Sequence, residues 1–480
     1  MNHVQHNGDL LVLDGVKELY SYLSRTIRGN LLHPESDGYK EACGIWNATV
    51  ARRPALIARC ADEADVREAV RAAATIDVLT AVRCGGHSLA GFSTCDGGLV
   101  IDLCHLRQVT VDPEERRARF QGGCLLGSVD QATQAYGLAF PAGVVSHTGA
   151  SGLILGGGFG WLTRLCGLSC DNISAFTLVT AEGSVVRADS TENADLYWAL
   201  RGGGGNFGVV TEFEAQLHPV FSVLLATAFC LEPEIPAMLR RWREFMPEAP
   251  ENLKWNISLR LAQPEDNLPA EFLGRPVASQ FVLWVGDPDQ GERHTKNALS
   301  IAKHLGIKQQ AMSFLALQTM ADHEFPHGRR YYTKSGYFRN LDDNSIDRMV
   351  AATSAIPAPL TQVELAYLGG AAGRIPANET AFGDRSSPFV INLLANWANP
   401  AEDAANIAWV RNLFAQLRPA MTPGVYINFM SGDEDERTPE AYRERWDRLV
   451  AIKSKWDPKN FFRLNQNIAP QKAANMRERS

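Results

Sequence analysis

The chain has 480 residues, 45% apolar and 21% charged, the composition of a soluble globular protein with sizeable cores. Its length favours two domains over one. A net charge of -7, with no block of like charges, argues against nucleic acid or an anionic membrane as a main partner.

The N-terminal stretch lacks a basic start followed by an apolar run, so no signal peptide is expected. No apolar stretch reaches the ~18 residues of a membrane span. Residues 63–76 space Val66, Ala69, Val70 and Ala73 as a helix does, and a short strand over 79–84 follows. Residues 97–103 read as a buried strand, and 108–123 as a hairpin turning at Asp112-Pro113. A helix is expected over 125–138 with Gly137 as its cap, then a hairpin over 176–188, a helix over 193–203 and a strand over 208–217.

Glycine is dense between Gly85 and Gly208 and thins beyond Pro219, which marks a domain boundary. The second part opens with an amphipathic helix over 234–247. Strands follow over 256–262, 278–286, 361–370 and 389–397, suggesting a sheet with helices on one side. The last segment predicts a strand over 425–430, a helix over 439–456 and an irregular stretch to residue 470. Helices mix with hairpins, so the class is α+β, with segments 1–219, 220–424 and 425–480. The nine cysteines are scattered. An odd count without export reads as reduced thiols in a cytoplasm. Only Cys166 and Cys170 lie close together, and no second pair completes a zinc site, so no metal is expected.

Three glycine-rich runs carry the functional signal: Arg83–Ser93, Ala142–Gly160 and Arg201–Val210. Such runs let backbone N–H groups converge on an anion, most often a pyrophosphate. Gly203, Gly205 and Gly208 match a dinucleotide-binding spacing. A helix precedes them and a strand follows, the reverse of what that motif requires, so a nicotinamide dehydrogenase is rejected.

The runs "RCGGHS", "GGLVIDL", "GLILGGGFGWLTRLCGLSCDNI", "NADLYWALRGGGGNFGVVTEFE" and "DPKNFFRLNQNI" occur in the order that resembles the berberine-bridge-enzyme-like flavoprotein oxidases. These belong to the vanillyl-alcohol-oxidase (PCMH-type) superfamily, and the likeness is greatest to bacterial members of natural-product pathways. The resemblance implies a two-domain fold: an FAD-binding domain (1–219), a substrate domain built on an antiparallel sheet covered by helices (220–424), and a C-terminal segment (425–480) returning to the first. It implies FAD, attached covalently through His87 to the flavin 8α-methyl. A neutral imidazole is a competent nucleophile near neutral pH, and Gly85 and Gly86 let its loop approach the ring.

The same resemblance assigns Arg83, Cys84, Ser88, Gly143, Val145, Thr148, Gly149, Gly152, Gly157, Gly158, Phe159, Gly160, Gly208, Val209, Asn465 and Asn467 to the cofactor, with Gln466 beside them. Many relatives carry a second tether, a cysteine, where this chain has Val145. One covalent bond is therefore expected, with a lower flavin potential and a more open site. A small Thr148 beside the ring leaves room for O2 as electron acceptor.

A base is expected on the sheet above the flavin. Strand alternation sets Gln362, Glu364 and Ala366 on one face, and burial would raise Glu364 toward the working range of a general base. Tyr426, paired by alternation with Asn428, is the other catalytic candidate. Asn392 is a polar residue in an apolar strand, placed to line the pocket or satisfy a hydrogen bond. Tyr331, Tyr332 and Tyr337 either wall the pocket or pack a core. The expected reaction is oxidation of a hydroxylated, phenolic or polyketide-like small molecule. A sugar or nicotine-like amine is an alternative substrate, and a flavin-binding protein without turnover the alternative of another class.

Overall fold

Parallel pairing opens the fold. In the computed structural model, which describes residues 5–471, β1 (Asn30–Leu32), β2 (Leu56–Arg59), β3 (Thr80–Arg83) and β4 (Leu99–Asp102) form a four-stranded sheet. β4 lies between β2 and β3, parallel to both. Parallel strands need a crossover, and the helix Glu63–Thr75 supplies it, its N-terminus capped by the Asp62 side chain on the Asp65 N–H. Its Val66, Ala69, Val70 and Ala73 are buried against the sheet, at the spacing read from the sequence.

The next strands are β5 (Val109–Asp112), β6 (Arg117–Gln121), β7 (Leu138–Ala139), β8 (Ile173–Val179), β9 (Val185–Asp189), β10 (Val209–Gln216) and β11 (His218–Pro219). Five of them make an antiparallel sheet in the order β5-β6-β10-β8-β9, and β7 pairs with β11. Both expected hairpins are present. The helix expected over 125–138 stops at Gln134, and Gly137, at φ 67°, turns the chain out of it.

The second part holds β12 (Ser222–Leu231), β13 (Leu253–Leu261), β14 (Pro276–Val285), β15 (Leu305–Ser313), β16 (Arg330–Phe338), β17 (Gln362–Tyr367) and β18 (Phe389–Trp397). They form one antiparallel sheet in the order β15-β12-β14-β13-β17-β18-β16. One face is apolar: Trp255, Ile257, Leu259 and Ile391 pack on Trp242, Met349 and Leu413 of the covering helices. Side chains alternate along a strand, so Lys254, Asn256, Ser258 and Arg260 of β13 point the other way, into a cavity.

Two expectations fail in the last segment. Residues 425–430 are not a strand; they enclose a single 3-10 turn, Ile427–Phe429. The Asn428 side-chain amide donates to the Leu153 carbonyl and the Tyr426 hydroxyl, tying this stretch to a glycine-rich run instead of a ladder. The expected helix over 439–456 is broken at Arg443, at φ 53°, into Thr438–Tyr442 and Trp446–Trp456.

The chain then returns to the first part. Lys453, fully buried, donates to Asp457 at 2.7 Å and to the carbonyls of Asn206 at 2.7 Å and Phe462 at 2.9 Å. Asp457 also accepts from the Phe461 and Phe462 N–H groups. Removing one partner of a buried pair strands the other charge, at a cost of about 3–5 kcal/mol. Lys453→Met is expected to lower unfolding free energy by that amount, read from urea denaturation. A change below about 1 kcal/mol would place the pair among solvent-screened surface bridges instead.

Candidate active site

The glycine-rich runs meet back to back. A Cβ on Gly85 would lie 2.4 Å from the Gly149 nitrogen, and one on Gly149 would lie 2.4 Å from the Gly85 nitrogen. Neither position tolerates a side chain, and the contact sets His87 beside His147. Their ring nitrogens, Nε2 and Nδ1, are 2.7 Å apart. His327 closes the group, with nitrogens of all three rings within 4.8 Å of one another. Trp46 stacks on His87 at 4.9 Å between centroids and on Tyr331 at 3.6 Å. Burial, helped by the two neighbouring histidines, holds the His87 pKa well below its usual range. The ring is neutral and keeps a lone pair at neutral pH.

A cavity of about 630 Å³ lies between these loops and the polar face of the large sheet. In register, Glu364 of β17 sits between Ser258 of β13 and Asn392 of β18. Asn392 donates to Glu364 Oε2 at 2.7 Å, and Gln362 donates to Oε1 at 3.2 Å. Gln362 in turn accepts from the Ser258 hydroxyl. Burial raises Glu364 to about 7, with Glu324 adding to the rise and the Asn392 hydrogen bond opposing it. A carboxylate poised there accepts a proton efficiently near neutral pH.

His87, Cys84, Gly85, Gly86, Ser88, Gly143, Val145, Thr148, Gly149, Gly152, Phe159, Gly160, Gly208, Val209 and Asn465 all line this cavity, as do Glu364, Asn392 and Tyr426. Four expected cofactor residues do not. Arg83 is committed elsewhere, pairing with Asp102 at 2.7 Å and donating to the Ala42 carbonyl at 2.6 Å. Gly157 and Gly158, both at positive φ, turn the chain where a Cβ would meet Phe382 and Ser169. Asn467 is also absent from the lining, although its Oδ1 is buried without a partner.

Tyr426 is less suited to act as a base. Its hydroxyl accepts from the Gly158 N–H at 3.2 Å and from Asn428 at 2.8 Å, and burial raises its pKa well above the usual phenol range. The tyrosine cluster packs and does not wall the cavity. Tyr331 donates to the Pro326 carbonyl, Tyr332 to Asp433, and Tyr337 is fully buried.

Sequence reasoning missed Trp46, His327 and the polar row Lys254, Asn256, Ser258, Arg260. The row carried a usable signal: polar residues alternating with Trp255, Ile257 and Leu259 mark one face of a strand facing something other than a core. The histidine group carried none, since its members lie far apart in the chain.

The arrangement suits FAD by its own shape. Gly152 and Gly205 line the cavity with open space where a Cβ would stand, and Asn465 Oδ1 is buried there without a partner. Residues 54–189 match the FAD binding domain family, and residues 425–469 match the family described as berberine and berberine like. An FAD-linked oxidoreductase of Dictyostelium discoideum is 30% identical over 95% of this chain and 98% of its own. (R)-6-hydroxynicotine oxidase of Paenarthrobacter nicotinovorans is 30% identical over 93% of this chain and 98% of its own. The crystal structure of 6-hydroxy-D-nicotine oxidase from Arthrobacter nicotinovorans superposes with a TM-score of 0.83, at 28% identity, over 93% of this chain and 98% of that one.

Proposed function

The chain belongs to the berberine-bridge-enzyme-like FAD-linked oxidoreductases, and on that footing we propose that it is an oxidase of hydroxylated aromatic or polyketide-like metabolites, with one histidyl-linked FAD and O2 as acceptor. The observation that carries this reading is Glu364: a carboxylate raised to about 7, held by Asn392, on the wall opposite the glycine-rich loops. When bound, FAD supplies a two-electron acceptor that O2 can reoxidise.

The residues around it divide the work. Glu364 takes the proton from the substrate O–H as the adjoining carbon is oxidised. Asn392 and Gln362 fix the carboxylate's orientation. His87 would hold the cofactor through its ring, and His147 and Trp46 hold His87. Val145 offers no nucleophile, which supports a single tether. Thr148, small and lining the cavity, is consistent with access for O2. Nine unpaired cysteines support a reducing compartment such as the cytoplasm. No helix among the described residues is long and apolar enough to cross a membrane.

An oxygen-consumption screen against hydroxylated aromatics, sugars and cyclic amines tests the reading. Oxygen uptake with phenolic or polyketide-like alcohols is the expected result; no uptake with any class would sink it. The likeness to 6-hydroxynicotine oxidase, in sequence and in structure, favours a second reading, oxidation beside an amine nitrogen, which uptake with cyclic amines alone would establish.

The loop contact gives a further prediction. Gly85→Ala forces the two glycine-rich runs apart against backbone atoms. The purified variant is expected to lose most of its flavin, measured as the absorbance ratio of flavin to protein. Full flavin content would mean that the contact does not shape the cofactor bed.

A further inference from the structure

We propose that Lys254 forms a subsite for an anionic oxygen of the substrate, a carboxylate or phenolate remote from the carbon that is oxidised. The proposal rests on the cavity being the substrate chamber of a flavin oxidase and specifies what that chamber takes.

Three lysines are buried among the described residues. Lys334 holds Asp433 and Glu434, and Lys453 holds Asp457. Lys254, 2% exposed, has no hydrogen-bond partner for its Nζ, and it lines the cavity. An ammonium has three donors to satisfy, and leaving them unmade in a buried setting is costly. The protein pairs its other buried lysines and leaves this one for a ligand.

Burial pushes the Lys254 amine down to about 7, and Arg164, another cation, adds to the fall. Arg164 itself spends its guanidinium on the carbonyls of Met246, Ala249 and Pro250. An arriving anion therefore meets an amine ready to take up a proton, beside a fixed positive charge. A cationic amine substrate would meet the same charges as repulsion.

Register sets the length of the ligand. Ser258 pairs with Glu364 across β13 and β17. Lys254 is rooted four residues further along β13, about 13 Å at ~3.3 Å per residue. Trp161 and Phe281, ring centroids 6.5 Å apart, line the same cavity. The ligand this fits is an extended aromatic or polyketide-like acid, with its oxidised carbon near Glu364 and its acidic oxygen at Lys254.

The test is calorimetric titration of the flavin-loaded enzyme with benzoate and with benzamide, which differ in charge and little in shape. The parent is expected to bind benzoate at least tenfold more tightly. Lys254→Met should abolish that preference and Lys254→Arg should keep it. Methionine removes a buried unpaired amine, so the melting temperature should not fall. Equal affinity of the parent for the two probes overturns the proposal. So does a preference that survives Lys254→Met, which would assign the anion to Arg260. A changed flavin spectrum in ligand-free Lys254→Met, with the preference intact, also overturns it by turning the amine toward the cofactor. Glu364→Gln separates the two readings: it should keep the benzoate preference while losing turnover. A colourless parent, or full turnover in Glu364→Gln, would count against the oxidase reading itself.

Discussion

Glu364→Gln is expected to stay folded and yellow while its turnover falls by roughly 100- to 10,000-fold, the usual worth of a positioned general base. The amide keeps the shape and one of the two contacts with Asn392 and Gln362, since its nitrogen cannot accept from the other, and it takes up no proton. In the parent the base works only when ionised, so kcat/KM should rise with pH through about 7, the value to which burial lifts this carboxyl. The variant's residual rate should lack that inflection. Stability should move the other way. The folded pKa lies above the ordinary carboxylate value, so the fold favours the protonated form. That contribution is complete at low pH and is lost as pH rises through about 7. Glutamine never ionises, so the variant should melt above the parent, by a margin that widens between about 4.5 and about 7 and is constant above that. A variant with unchanged turnover would remove Glu364 from the chemistry.

The second large effect concerns His87. Acid precipitation of the parent is expected to leave flavin in the pellet, whereas His87→Ala should release all of it to the supernatant. Intact-mass measurement should show the parent, and not the variant, carrying one FAD. The physical basis is a neutral ring, kept so by burial and by two histidine neighbours, with Nε2 directed at His147 and Nδ1 left as the ring nitrogen to meet the cofactor. If the parent itself releases its flavin, the covalent reading is wrong, and His87 is a wall residue of the cavity.

Much of the fold was legible because its local rules agree with each other. The helix Glu63–Thr75 has a capping aspartate, a helical spacing and a crossover to make. The β5–β6 hairpin turns where Asp112-Pro113 says it should. Tertiary partners hid the rest. β16 is buried nearly throughout, yet it carries Arg330 and Lys334, whose charges are matched by Asp403, Asp433 and Glu434 from distant segments. β15 is an edge strand with mostly exposed residues and shows no alternation to read. Residues 425–430 have the composition of a strand, but Asn428 spends its amide on Leu153 and Tyr426, which no window of sequence reveals.

The site divides in the same way. Glu364 was readable as a lone carboxylate in an apolar strand, and His87 as a ring between loop glycines. Arg83 differs from its neighbours in sequence, which touch the cavity, because its own guanidinium crosses to Asp102. Lys254 fell just outside the stretch recognised as a strand.

The returning C-terminal segment has a consequence for how the protein is made. Asn206 bonds to the backbone of Gln466 and Ile468, Lys453 caps the Asn206 carbonyl, and Phe461 and Phe462 fill the core beneath the first sheet. The cofactor bed therefore lacks part of its floor until residues past 460 have left the ribosome. The first part is therefore completed by the last segment of the chain, although domains generally fold as units from the N-terminus. Until that segment has docked, the glycine-rich loops lack this support.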